Sequence, residues 1–163
     1  MGSFATISSR FLNIMEAPQG LNTEPDQFPY SESGIRVMTY AQEKAKEFES
    51  RYVEPAHLFL GLAQEDNIKK LFEDLHIDRE SFFESVELYA KGSYRSPGRG
   101  KLELNPRAKL VIKLAYKETT IADIPQIRDL DILIGLVREG GIEAKALSLR
   151  GLNYQTIMNY LAK

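Results

Sequence analysis

Two short stretches of the chain are apolar on almost every face. They are Ala56-His57-Leu58-Phe59-Leu60-Gly61-Leu62 and, 74 positions later, Leu130-Asp131-Ile132-Leu133-Ile134-Gly135-Leu136. A helix lying on a surface shows one polar side to water, so both segments are expected inside. Each carries a glycine at the same step, Gly61 and Gly135. Glycine in a helix interior costs about 1 kcal/mol relative to alanine, and its matched placement predicts a second helix crossing closely at both points.

Amphipathic helices are predicted around these two cores. Ile35, Met38, Ala41, Ala45 and Phe48 recur at helical spacing, with Gln42, Glu43, Lys44, Lys46, Glu47 and Glu49 as a solvated outer face. A serine in Tyr30-Ser31-Glu32-Ser33 caps this helix, and Pro55 suits the first turn of the apolar one. Asn67 is read as the cap of a third helix through Ile68, Leu71, Phe72 and Leu75. Asp78 is read as the cap of a fourth through Phe82, Phe83, Val86 and Ala90. A basic, glycine-rich connector follows from Gly92 to Lys101, and then the series repeats. Asn105 and Pro106 open a helix with the inner stripe Ala108, Val111, Ile112 and Ala115. Thr119 to Gln126 reads as an extended join, and Asp129 as the cap of the second apolar helix. Ile142, Ala146 and Leu149 form the stripe of the next helix, which Gly151 ends, and Asn153 caps the last.

The register is maintained along both halves. Val37 aligns with Val111, Ala41 with Ala115, Gly61 with Gly135 and Ile68 with Ile142 at an offset of 74; after one gained residue Ile77 aligns with Leu152 and Phe82 with Ile157. The expected fold is all-α, with two four-helix repeats packed together. Repeat one spans 30–91, a linker 92–103 and repeat two 104–163. Residues 1–29 form an extension expected to be disordered or loosely docked, with Phe11, Leu12 and Ile14 as its apolar docking residues.

Composition narrows the function. A chain of 163 residues, 43% hydrophobic with a net charge of -2, supports a real core but offers no dense basic field for nucleic acid or membrane. The absence of cysteine removes disulfides and thiolate metal sites and fits a reducing compartment. A cytoplasmic location is expected, with an organelle stroma as the alternative. No Gly-x-x-x-x-Gly-Lys-(Ser/Thr) loop, His-Glu-x-x-His pair or Gly-x-Ser-x-Gly turn is present. His57 and His76 are the only histidines, the first expected to be structural and the second to sit at a helix end. No catalytic residue, cofactor or metal ligand is assigned.

The duplicated strings resemble the Clp N-terminal repeat domain carried by protein-unfolding ATPases of the ClpA, ClpB and ClpC class. The family string Glu-His-(Ile/Leu)-Leu-Leu-Gly-Leu, followed by Arg-Glu-Gly, appears as Ala56 to Leu62 and as Leu130 to Gly140. The helix opener appears as Leu104-Asn105-Pro106-Arg107-Ala108 and Ala41-Gln42-Glu43-Lys44-Ala45. The resemblance implies a pseudo-twofold helical domain that performs no chemistry and receives substrate or adaptor proteins. In the ClpC branch a glutamate before the motif histidine of each repeat engages phosphorylated arginine. Ala56 and Leu130 stand at those positions, so this recognition is not carried over. The absence of a phosphate loop and the 29-residue extension point to a stand-alone accessory protein, an adaptor or regulator of a Clp-type chaperone or protease. A structural assembly subunit, or the excised N domain of a Clp ATPase, is the alternative. The implied partners are a Clp-family ATPase or protease core and substrate or adaptor proteins. Tyr52, Glu54, His57, Asp129 and Asp131 are the candidate margin of a binding groove at the seam between repeats, where Tyr30, Tyr40, Tyr89 and Tyr94 add phenols suited to an interface.

Overall fold

The computed structural model describes residues 25–92, 97–121 and 125–163. Among them, eight α-helices follow a 3-10 turn at Pro25–Gln27: α1 Glu32–Glu47, α2 Pro55–Leu62, α3 Asp66–Asp74 and α4 Arg79–Lys91, then α5 Pro106–Ile121, α6 Asp129–Glu139, α7 Ile142–Leu149 and α8 Tyr154–Leu161. No described helix is long and apolar enough to cross a membrane. Residues 1–24 of the expected extension, with Phe11, Leu12 and Ile14, lie outside the described residues, as does Tyr94.

The two repeats interlock through backbone pairing. Ser31 N–H donates to Ile127 O at 3.0 Å and Ile127 N–H to Pro29 O at 2.9 Å. Asn105 N–H donates to Val53 O and Val53 N–H to Glu103 O, both at 2.9 Å. The parallel bridges pair Tyr30 with Ile127 and Val53 with Leu104, and adding 74 carries Tyr30 onto Leu104 and Val53 onto Ile127. Each half therefore threads its opening segment into the other half, the arrangement a pseudo-twofold axis demands.

α2 is buried along its whole length, and α6 from Asp131 to Gly135 and Leu136. They pack against each other, α1 on α2 and α5 on α6. The glycines permit those crossings. A Cβ on Gly61 would stand 2.5 Å from Val37 O, and one on Gly135 would collide with Val111 O. Val37 and Val111 are themselves equivalent positions, so one close approach is built twice.

Most caps follow the sequence. Ser31 Oγ accepts from Gly34 N–H at 3.2 Å, Asp78 Oδ1 from Ser81 N–H at 3.1 Å, Asn105 Oδ1 from Ala108 N–H at 2.8 Å and Asn153 Oδ1 from Thr156 N–H at 3.0 Å. His76 and Gly151, aligned after the gained residue, both adopt positive φ, 58° and 94°, after their helices end.

Several expectations need correction. The buried stripe of α1 runs through Gly34, Val37, Ala41 and Ala45, leaving Ile35 55% exposed. Gln42 does not belong to a solvated face: its amide bonds the Leu102 backbone. α5 continues to Ile121 instead of ending before an extended join at Thr119. On α7 the expected stripe holds only at Ala146, which is half-buried against the core, while Ile142 and Leu149 are 56% and 91% exposed and Ala144 and Leu147 face the core instead. Two apolar stripes compete on that short helix, and neighbouring helices cover only one. Of the extension, Pro25 and Phe28 are buried and the 3-10 turn packs on α5.

Candidate functional site

The residues expected at a groove margin do different work. Glu54 is the N-cap residue of α2, and its N–H donates to His57 Nδ1 at 2.9 Å. Arg128 is the N-cap residue of α6, and its N–H donates to Asp131 Oδ2 at 2.9 Å. His57 and Asp131 are equivalent residues, so imidazole and carboxylate perform the same capping task in the two halves. Both are buried. Because His57 Nδ1 accepts, its ring proton resides on Nε2, which has no hydrogen-bond partner. Burial lowers its pKa to about 4.

Asp129 is not the cap that sequence suggests, since Arg128 holds that position. Its carboxylate is buried, accepting from Leu130 N–H at 2.7 Å and Asn67 Nδ2 at 3.3 Å, while Asp129 N–H donates to Ser33 Oγ at 3.1 Å. Asn67 likewise caps nothing, because α3 begins after Glu65; its amide ties the repeats together instead. Burial raises the pKa of Asp129, with its hydrogen bonds opposing. Of the five candidates, Tyr52 is exposed and Glu54 half-buried; the other three present almost no surface.

Two glutamates at equivalent positions, Glu65 and Glu139, are each gripped by an arginine. Arg36 Nε and Nη2 reach Glu65 at 3.1 and 2.8 Å, and Arg107 reaches Glu139 with the same two atoms at 2.9 Å each. The equivalent of Arg107 is Ser33, so repeat one supplies its guanidinium from Arg36, about one turn later. These forks join each first helix to the end of the apolar helix it crosses.

A cavity of about 560 Å³ lies elsewhere, and none of Tyr52, Glu54, His57, Asp129 and Asp131 lines it. Ile35, Met38 and Thr39 of α1 form one wall, Leu102 and Leu104 of the connecting segment the other, with Tyr30 also in the lining. That second wall is fixed from both sides. Gln42 Nε2 donates to Leu102 O at 2.6 Å and Leu102 N–H to Gln42 Oε1 at 2.9 Å, while Glu103 and Asn105 pair with Val53.

The clamp on this wall has a different counterpart in repeat two. Phe28, equivalent to Leu102, stacks on Tyr116, equivalent to Gln42, with ring centroids 4.3 Å apart. Ile112, equivalent to the half-buried Met38, is fully buried. A polar clamp in one half and an aromatic stack in the other make the two halves differ here, and the cavity lies between them, lined by Ile35 of α1 and by its equivalent Lys109 of α5. Sequence reasoning missed it because its walls come from segments some 60 residues apart. The available signal was the mismatch at aligned positions, apolar Ile35 against Lys109 and polar Gln42 against Tyr116.

The ATP-dependent Clp protease ATP-binding subunit ClpC of Staphylococcus saprophyticus subsp. saprophyticus is 33% identical over 127 residues, which is 76% of this chain and 15% of that protein. Among solved structures, the Hsp104 N-terminal domain from Candida albicans superimposes with a TM-score of 0.70 at 17% identity, covering 79% of this chain and 86% of the other. The N-terminal domain of the chaperone ClpD from Arabidopsis thaliana gives a TM-score of 0.63 at 22% identity, covering 82% of this chain and 95% of the other. The family model of the Clp repeat (R) N-terminal domain matches residues 29–150, and the chain belongs to that family.

Proposed function

We propose that the chain is a protein-binding accessory module, an adaptor or regulator of a Clp-type ATP-dependent chaperone or protease, which holds extended segments of substrate or adaptor proteins in the α1 groove. The observation that carries this reading is the groove itself, a trough in which apolar Ile35, Met38, Leu102 and Leu104 alternate with Lys101, Glu103 and Lys109, with exposed Ile35 on one side and a hydrogen-bonded wall on the other. An extended segment gains from such a site by burying alternate apolar side chains against a surface that needs no reorganisation. The match to ClpC supports a Clp ATPase or its protease core as the second partner. Among the described residues His57 is buried in a cap, His76 lies in a helix-ending turn, and no group of three His, Asp or Glu side chains is placed to hold a metal. Tyr52 and Glu54 fit a secondary margin beside α2, where burial raises the Glu54 pKa against the opposing charge of Arg107.

Ile35→Asp tests the groove directly. Ile35 is largely solvated, so the substitution changes stability by only about 0.5 kcal/mol, but it places a charge on the apolar wall. Binding of fluorescein-labelled, carboxymethylated lactalbumin, a permanently unfolded protein, is expected to weaken about tenfold by anisotropy while the melting temperature holds within about 2 °C. Unchanged affinity would remove the α1 groove from the proposed function.

A further inference from the structure

A second cleft, of about 180 Å³, opens between α4 and α7 and shares no lining residue with the α1 groove. Phe82, Val86 and Tyr89 of α4 face Ile142 and Ala146 of α7, and Glu143 contributes to the lining. Glu143 is 5% exposed, and its Oε2 has no hydrogen-bond partner. The neighbouring cation is committed elsewhere: Arg107 forks onto Glu139 and leaves its Nη2 at 3.9 Å from Glu143 Oε2. Burial is the main cause of a raised pKa at Glu143, and the charges of Glu139 and Glu54 push in the same direction, against a hydrogen bond from its own backbone N–H and the charge of Arg107. Three carboxyl groups thus share one guanidinium around an acceptor atom removed from water. A buried acceptor without a donor is a standing free-energy cost that a ligand donor would relieve.

The rim has the opposite character. Ile142 and Tyr89 are both about half exposed, and the same face of α7 continues to Leu149. Apolar walls above an unsatisfied acid match a long basic side chain, whose methylene stem packs on apolar surface while its head donates hydrogen bonds. We propose that the α4–α7 cleft is a second docking point, which takes one lysine or arginine side chain from an apolar segment of a partner protein, with Glu143 as the acceptor. It is independent of the α1 groove and stands even if that groove binds nothing.

The test is a titration of the full ¹⁵N-labelled chain with acetylated, amidated Leu-Lys-Leu and Leu-Arg-Leu, against Leu-norleucine-Leu, which keeps the stem and lacks the charged head. At least one basic peptide is expected to shift the amide resonances of Tyr89, Ile142 and Ala146 and to bind about tenfold more tightly than the norleucine peptide. Glu143→Gln should bring its affinity down to the norleucine level. Should that buried variant fail to fold, Tyr89→Ala, at an exposed position, is expected to abolish the shifts in a folded chain. Equal binding of all three peptides, a Glu143→Gln or Tyr89→Ala variant that binds like the parent, or no shift at those amides would each overturn the proposal.

Discussion

Gly135→Ala is expected to destabilise the fold by about 2–3 kcal/mol, although alanine is the better helix former. At an open helical position the exchange gains about 1 kcal/mol. Here the new Cβ would collide with Val111 O and come within 3.2 Å of Ala115 Cβ. The obstacle is backbone of α5, which no rotamer change can move, so α5 and α6 must separate. That opens the tightest helix pair of repeat two, with Val111, Ala115 and Leu136 all buried at or near the crossing. The melting temperature should fall by roughly 5–10 °C. Gly61→Ala should behave similarly, since its Cβ would stand 2.5 Å from Val37 O. Gly92→Ala is the control: its Cβ would meet nothing nearer than 3.6 Å, and a change within about 0.5 kcal/mol is expected. Thermal unfolding followed by circular dichroism distinguishes the three.

Acid provides the second large effect. His57 has a pKa of about 4 in the folded chain against an ordinary value of 6.5, because burial disfavours its charged form. Between those two values the unfolded chain binds a proton that the folded chain refuses, so stability is complete above about pH 6.5 and is lost as pH falls toward 4. The contribution is on the order of 3 kcal/mol. Asp129, Glu143 and Glu54 act in the opposite sense, since burial raises their pKa values and their protonation in acid favours the folded state. The total slope is therefore shallower than that of His57 alone, and the informative quantity is a difference. His57→Gln keeps an acceptor for the Glu54 N–H, as glutamine does at this position in capping boxes, but does not titrate. Urea unfolding at stepped pH should show the parent losing up to about 3 kcal/mol relative to this variant between pH 6.5 and 4. Parallel profiles would mean that His57 is solvated or already charged in the folded chain.

Local features were the most legible in the sequence. Ser31, Asp78, Asn105 and Asn153 cap the helices they precede, because a cap is decided within four residues. The paired glycines announced two helix crossings, because only a backbone contact explains glycine at matched steps of two apolar helices. The sequence failed where a side chain has a choice of partners far along the chain. Asn67 and Asp129 both look like caps, yet they bond each other across 62 residues: α3 starts after Glu65 without a side-chain cap, and at α6 the task passes to Asp131 at the third helical position, as His57 performs it at α2. Ile142 and Leu149 looked like core because their spacing is helical, and spacing cannot say which of two stripes a neighbour covers. The α1 groove depends on Gln42 gripping Leu102 on one side and Phe28 stacking on Tyr116 on the other, a difference that exists only once the two halves are superposed. Family resemblance located the domain and explained its repeat; of the groove's walls its strings touch only Gln42 and Leu104, so it did not locate the groove.

The central claim is that the α1 groove receives protein segments on behalf of a Clp machine. Its most direct test places a photoreactive benzoylphenylalanine at Ile35 and, in a parallel chain, at exposed Glu73 on α3. Both are irradiated in native cell extract with ATP-bound Clp ATPases present, and the adducts are identified by mass spectrometry. The account predicts adducts at Ile35 to extended segments of client or adaptor proteins, recovered together with a Clp ATPase or protease subunit, and none of these at Glu73. Equal labelling at both positions, or adducts at Ile35 that include no client, adaptor or Clp component, would contradict it.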